Sequence, residues 1–167
     1  MERDHVDRML QAWADHDPGL MTDPLAVAGR ILRLARFLDI AIARSLAPLG
    51  LSFEDFDVLN TLRREGGGAV RPNALARAAL ISSGAMTARL GRLQDRGLIT
   101  RAVDDGDRRA VQVSLTADGE KLAIRALAAV IEADESVLAP LDPAARTATA
   151  DLLRTLLVPL ERADPGD

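Results

Sequence analysis

Between Ser82 and Arg92 the chain brings hydroxyl, methyl and guanidinium groups onto one arc of a helix. Ser83, Gly84, Thr87, Ala88 and Gly91 fall at spacings of one, three, one and three residues, so they share a face. Met86, Leu90 and Leu93 take the opposite, apolar side. The outward side chains are small enough for close approach to another molecule. Ser and Thr hydroxyls can donate or accept at the edges of bases, and Arg92 can reach a phosphate or a guanine. Ser82 or Ser83 also supplies an N-cap, beside which the free amides of the first turn favour an anion.

Other chemistry is poorly supplied. The chain has no cysteine, which removes thiolate nucleophiles, disulfide frameworks and cysteine-based zinc sites together. Its two histidines, His5 and His16, lie in the first helical segment without partners at metal spacing, and they are expected at the surface. No Ser-His-Asp order, metal cluster or glycine-rich phosphate loop occurs. The expectation is a protein that is not an enzyme, with no catalytic residue, no metal and no cofactor.

The net charge of -4 looks wrong for a partner made of phosphates. Its distribution says otherwise. From Arg71 to Arg109 there are eight Arg against four Asp, a local balance of +4 that leaves -8 on the rest. No apolar run approaches the ~20 residues of a membrane span, and the start MERDHVD lacks the basic and apolar regions of a signal peptide. A cytoplasmic protein without membrane contact is expected.

The elements that must position the Ser82–Arg92 arc can be read from periodicity. Apolar residues make up 48% of the 167, with three Phe, one Trp and no Tyr, so Leu, Ala, Ile and Val build the interior and helix packing is favoured. Val6, Met9, Leu10 and Trp13 mark a short amphipathic helix over 2–16. Asp23-Pro24 opens a long one carrying Leu25, Ile31, Leu34, Leu38 and Ile42 near one face, up to the break at Pro48-Leu49-Gly50. Ser52 caps a helix bearing Phe56, Leu59 and Leu62 that stops at Gly66-Gly67-Gly68. Pro72 opens another through Ala79, Leu80-Ile81 makes a tight corner, and the Ser82–Arg92 helix follows to Gly97.

Beyond Gly97 the period changes to two. Ile99–Val103 and Ala110–Leu115 flank Asp104-Asp105-Gly106-Asp107 as a hairpin. Thr116 caps a long Ala-rich helix to about Leu138, and Asp142-Pro143 opens a last one to about Glu161. The expected fold is mainly α with a small β-hairpin wing: a winged helix-turn-helix domain plus an N- and C-terminal helical dimerisation region. The boundaries expected are 1–50 for N-terminal helices serving dimerisation and a ligand cleft, 51–116 for the winged unit, and 117–167 for C-terminal dimerisation helices. Apolar stripes near both chain ends suit a two-fold interface in a homodimer.

Three segments, FDVLNTLRREGG, SSGAMTARLGRLQDRGLITR and DDGDRRAVQVSLTADGEKL, carry a resemblance to the MarR family, regulators named for multiple antibiotic resistance. The last is the most specific, combining Asp107, Arg109, Val113, Leu115, Thr116 and Gly119 in the spacing of that family's wing and following helix. The resemblance implies a dimer whose paired recognition helices enter successive major grooves of a pseudo-palindromic duplex. It assigns DNA contact to Ser82, Ser83, Thr87, Ala88 and Arg92. In the wing it assigns Arg109 to the minor groove, with Asp107 orienting it and Arg108 near phosphate. Gly91 departs from the polar residue usual in relatives, which leaves base specificity open.

A narrower resemblance concerns a ligand. The extra N-terminal helix with Trp13, together with Asp57, Arg89 and Arg101, matches the four positions that mark the urate-responsive branch of the family. On a helical wheel Arg89 falls toward the buried side, where it would pair with Asp57, while Trp13 walls the cleft. A planar anion such as urate would bind an arginine, repel Asp57 and shift the recognition helix off its groove. Ion pairs of purely structural role, another phenolic or purine ligand, and a winged-helix protein-interaction module without DNA binding stay open as alternatives.

Overall fold

The computed structural model describes residues 2–65, 70–79, 81–103 and 111–163. Two compact units divide the chain, residues 1–41 and 42–167. The first begins with a capping box: the Asp7 amide donates to the Asp4 carboxylate at 2.8 Å, and the Asp4 amide donates to the Asp7 carboxylate at 3.0 Å. That box starts helix α1 (His5–His16), and helix α2 runs Asp23–Leu46. Within this unit Val6 is buried against α2 at Gly29, where a Cβ would sit 3.4 Å from the Val6 methyls. Arg30 on α2 reaches both capping carboxylates, at 2.8 Å to Asp4 and 2.6 Å to Asp7.

In a single chain the stripe along α2 is only partly covered. Leu25, Ile31 and Leu34 each remain 37–40% exposed, and Phe37 on the same helix is 56% exposed. α1 and α2 pack on each other at only a few positions, because two helices cannot bury more than one seam between them.

The second unit opens with the 3-10 turn Ala47–Leu49 after α2, followed by α3 (Phe53–Arg64), α4 (Pro72–Ala78) and α5 (Ser83–Asp95). The chain reverses at Gly50 and Gly97 with φ of 65° and 69°, a region that side chains disfavour. Strands β1 (Ile99–Val103) and β2 (Val111–Leu115) pair antiparallel with Ile99 opposite Leu115 and Val103 opposite Val111. Val70 adds a single antiparallel bridge on the other edge of β2, with backbone hydrogen bonds of 3.0 and 2.9 Å to Val113. α6 (Ala117–Leu138) and α7 (Pro143–Ala163) complete the order. The mainly helical fold with a two-stranded wing is the one expected. The glycine run after α3, the corner residue Leu80 and the tip of the hairpin lie outside the described residues.

The core of this unit is aliphatic. Leu59 and Leu62 from α3, Met86, Leu90 and Leu93 from α5, and Val113 from β2 are all essentially solvent-free, as their spacing predicts. α6 lies against α3 on Gly119, Ala123, Ala126 and Val130, a stripe of small residues at spacings of four, three and four. Its start is fastened to the wing. Thr116 Oγ1 accepts from the Gly119 amide at 3.0 Å and donates to the Gly97 carbonyl at 2.8 Å, while the Thr116 amide donates to the Leu98 carbonyl at 3.0 Å.

At Gly119 an added Cβ would lie 1.9 Å from the Leu98 carbonyl oxygen, a backbone atom that cannot swing away. Gly119→Ala is therefore expected to destabilise the protein by about 1–3 kcal/mol or more. Gly91→Ala meets nothing within 4 Å and is expected to stabilise α5 by about 0.5–1 kcal/mol. Urea unfolding of the two variants beside the parent checks both signs.

Ser52 Oγ caps α3, accepting from the Asp55 amide at 3.2 Å. The same hydroxyl, then the Glu54 amide, and then the field of Arg89 and Arg92, outweigh burial and hold the Glu54 carboxyl below the ordinary glutamate range. Because the folded value lies below the unfolded one, ionised Glu54 stabilises the fold above the ordinary glutamate pKa, and this contribution is lost as pH falls through the depressed value. Ser52→Ala should move the Glu54 midpoint upward in an NMR carboxyl titration. An unmoved midpoint would leave the hydroxyl without that role.

Candidate nucleic-acid interface and ligand cavity

With Met86, Leu90 and Leu93 buried, α5 turns Ser83, Gly84, Thr87 and Ala88 to solvent, with Gly91 half-buried at the edge of the arc. Ser82 provides the cap, its Oγ accepting from the Ala85 amide at 3.3 Å, so Ser83 keeps its hydroxyl free of that role. Thr87 Oγ1 donates to the Ser83 carbonyl at 2.8 Å. Its single proton is thus used within the helix, and toward a ligand Thr87 presents lone pairs that accept.

Two arginines beside α5's outward arc, Arg92 and Arg101, are engaged with the scaffold. Arg92 Nη2 stands 3.6 Å from Asp55 Oδ1 on α3; the aspartate is largely buried and the arginine mostly exposed. Arg101 reaches from β1 to donate to the Thr87 carbonyl at 3.4 Å, joining the hairpin to α5. Arg89 is half-buried, and the Nε atoms of Arg89 and Arg101 are both buried without a hydrogen-bond partner. Asp107, Arg108 and Arg109 lie outside the described residues.

The expected Asp57–Arg89 ion pair is not formed. Residues two apart on a helix point about 200° from one another, and on α3 it is Asp55 that faces α5. Asp57 faces the other way, onto α6. The charge that Arg89 and Arg92 both sense is Glu54 at the start of α3. The buried stripe alone did not single out Asp55, because its spacing from the cap at Ser52 reads as ordinary capping chemistry.

Asp57 instead lines a cavity of about 600 Å³ between α3 and α6, with Phe56, Asn60, Arg63 and Arg64 beside it and Glu120 and Leu127 across it. Arg63 Nε donates to Glu120 Oε1 at 2.9 Å, bridging the two helices. Arg64 donates to Thr61 Oγ1 at 3.0 Å, and Asn60 Nδ2 to the Phe56 carbonyl at 3.2 Å. Among the described residues the Asp57 carboxylate makes no hydrogen bond or ion pair. The size suits a small organic ligand. Its walls offer a phenyl ring, an isobutyl group, two guanidinium groups and two carboxylates. Arg63, Arg64 and Glu120 were not singled out by sequence, since each alone reads as a solvated helix charge. Trp13 belongs to the first unit, where it is 43% exposed and meets the His16 ring edge-on at 6.3 Å.

Among the described residues no cluster of His, Cys, Asp and Glu could hold a metal, and no helix is long and apolar enough to cross a membrane.

A family model described as MarR family matches residues 49–110. Over 149 residues the chain is 32% identical to the HTH-type transcriptional regulator PecS of Dickeya dadantii, covering 89% of this chain and 90% of that one. Among solved structures, the Mycobacterium tuberculosis MarR family protein Rv2887 in complex with DNA is 30% identical with a TM-score of 0.66, over 77% of this chain and 95% of that one. Bordetella bronchiseptica BpsR, whose DNA binding is regulated by 6-hydroxynicotinic acid, is 27% identical with a TM-score of 0.70, over 79% and 93%. The helical order with its two-stranded hairpin and these relatives agree: this chain belongs to the MarR family of DNA-binding transcriptional regulators, and not to a family of enzymes.

Proposed function

We propose that the protein is a homodimeric repressor that binds a pseudo-palindromic duplex and leaves it when a small planar anion, urate or a related molecule, occupies the cavity beside Asp57. The observation that carries the DNA half is α5: one face wholly buried, the other presenting Ser83, Thr87 and Ala88 with Arg92 at its flank. Residues 51–116 form the DNA-binding part in this reading, with Ser82 capping the helix and Asp107, Arg108 and Arg109 serving the groove beside the wing. Residues 1–50 and 117–167 supply the dimer contacts. Their exposed apolar side chains, Leu32 and Phe37 on α2 and Leu152 and Leu160 on α7, support that role.

For the ligand half, the cavity's chemistry supports an anion with a flat apolar body. Arg63 and Arg64 would receive its charge, Phe56 and Leu127 its faces, and Asp57 would be repelled. Competition with Glu120 for Arg63 would loosen α3 from α6, and α3 carries Asp55, the partner of Arg92. Arg89 and Arg101 act in this reading as transmitters on the α5 side rather than as direct ligands. The four residue types of the urate-responsive branch, Trp13, Asp57, Arg89 and Arg101, favour urate. The regulation of BpsR by 6-hydroxynicotinic acid favours a second ligand of the same kind, a flat nitrogenous aromatic anion.

The test is a binding titration on duplex DNA from upstream of the protein's own gene at fixed salt, with urate or 6-hydroxynicotinate added. Release by urate is expected. Asp57→Asn should bind DNA as the parent does and respond at least tenfold less to urate, Trp13→Phe should likewise spare DNA binding and blunt the response, and Arg109→Ala should weaken DNA binding about tenfold across sequences. Binding that ignores urate but yields to 6-hydroxynicotinate would replace the ligand; no DNA binding at low salt would replace the whole reading with a protein-interaction role.

A further inference from the structure

Arg96 is the C-cap of α5, and its side chain leaves the helix for a turn 46 residues earlier in the chain. Nη1 donates to the Gly50 carbonyl at 2.8 Å and Nη2 to the Leu49 carbonyl at 3.4 Å. Those carbonyls end the 3-10 turn that follows α2, where backbone acceptors lack helical donors and carry the negative end of the local dipole. Arg96 itself stays exposed, so its removal leaves no cavity in the core.

We infer that Arg96 is a positioning residue for operator recognition: by holding the C-terminal end of α5 on the Leu49–Gly50 turn, it sets the angle at which the helix meets DNA. The apolar stripe of Met86, Leu90 and Leu93 keeps α5 on the domain, but such packing resists separation better than tilting, because dispersion contacts have no direction. Two hydrogen bonds from a planar fork do have one. Ser83 lies thirteen residues from Arg96, about 20 Å along the axis, so a tilt of about 5° at one end moves the other by about 2 Å. That exceeds the range over which a hydrogen bond to a base edge survives. The other grip on α5, Arg101 at the Thr87 carbonyl, is a single bond of 3.4 Å. The guanidinium of Arg96 is thereby committed to the protein, and its part in recognition is orientation.

This inference rests on α5 being the reading helix, and the test separates the two. A duplex is first selected from a random library by the parent protein; failure to select any sequence overturns the DNA-reading proposal itself and this inference with it. Arg96→Ala is then expected to raise the Kd for the selected duplex about tenfold or more, while the Kd for an unselected duplex of equal length changes by less than about twofold. The slope of log K against log salt should be unchanged, whereas a lost phosphate contact would reduce it by about 0.9. Arg96→Lys keeps a donor able to reach one carbonyl and should recover part of the loss. Should the alanine variant unfold at the assay temperature by circular dichroism, Arg96→Lys and Arg96→Gln carry the same comparison. Operator affinity equal to the parent's, or parallel weakening on both duplexes with a shallower salt slope, overturns the proposal.

Discussion

The Leu98 carbonyl comes so near Gly119 that no side chain fits between them, and the same carbonyl accepts the Thr116 amide. At that junction the end of α5, the first strand of the hairpin and the start of α6 are bound into one joint. Thr116 closes it from the other side through the Gly97 carbonyl. Because α6 is fixed there, its stripe of small residues can lie against α3. α3 in turn presents Asp55 toward α5 and Asp57 toward the cavity with α6. One helix thus forms a wall shared by α5 and the candidate ligand site, and its two aspartates serve different faces because of the helical turn between them.

The positive charge concentrated between Arg71 and Arg109 is used in a way that its sum conceals. Arg92 stands by Asp55, Arg96 holds the Leu49–Gly50 turn, and Arg101 holds the Thr87 carbonyl. These contacts orient α5 before any partner arrives, which reduces the ordering cost of binding. They also leave fewer cations for indiscriminate attraction to phosphate, and the acidic remainder of the chain opposes such attraction further.

Much of the apolar surface is unfinished business for a single chain. The long faces of α2 and α7 keep leucines and a phenylalanine in water, at a cost of about 25 cal/mol for each Å² that a partner would cover. By contrast the core around α3, α5 and β2 is complete within one chain. The protein therefore combines a core that is buried within one chain with helices whose stripes call for another surface, which fits the proposed two-fold assembly.

From sequence alone the order of helices and strands, the buried triplets on α3 and α5, the capping serines and threonine, and the outward arc of α5 could all be determined, because each depends on residues within a turn or two of one another. Family resemblance added the roles of Asp107, Arg108 and Arg109 in the wing, and the ligand residues by type. Only the tertiary structure decided which aspartate faces α5, that Asp57 shares a cavity with Arg63 and Glu120, and that Arg96 and Arg101 grip backbone carbonyls. Those facts depend on the rotation of one helix against another and on carbonyls that have no side-chain signature. The single bridge at Val70 escaped for the same reason: one residue carries no period, and its pairing exists only once β2 is in place.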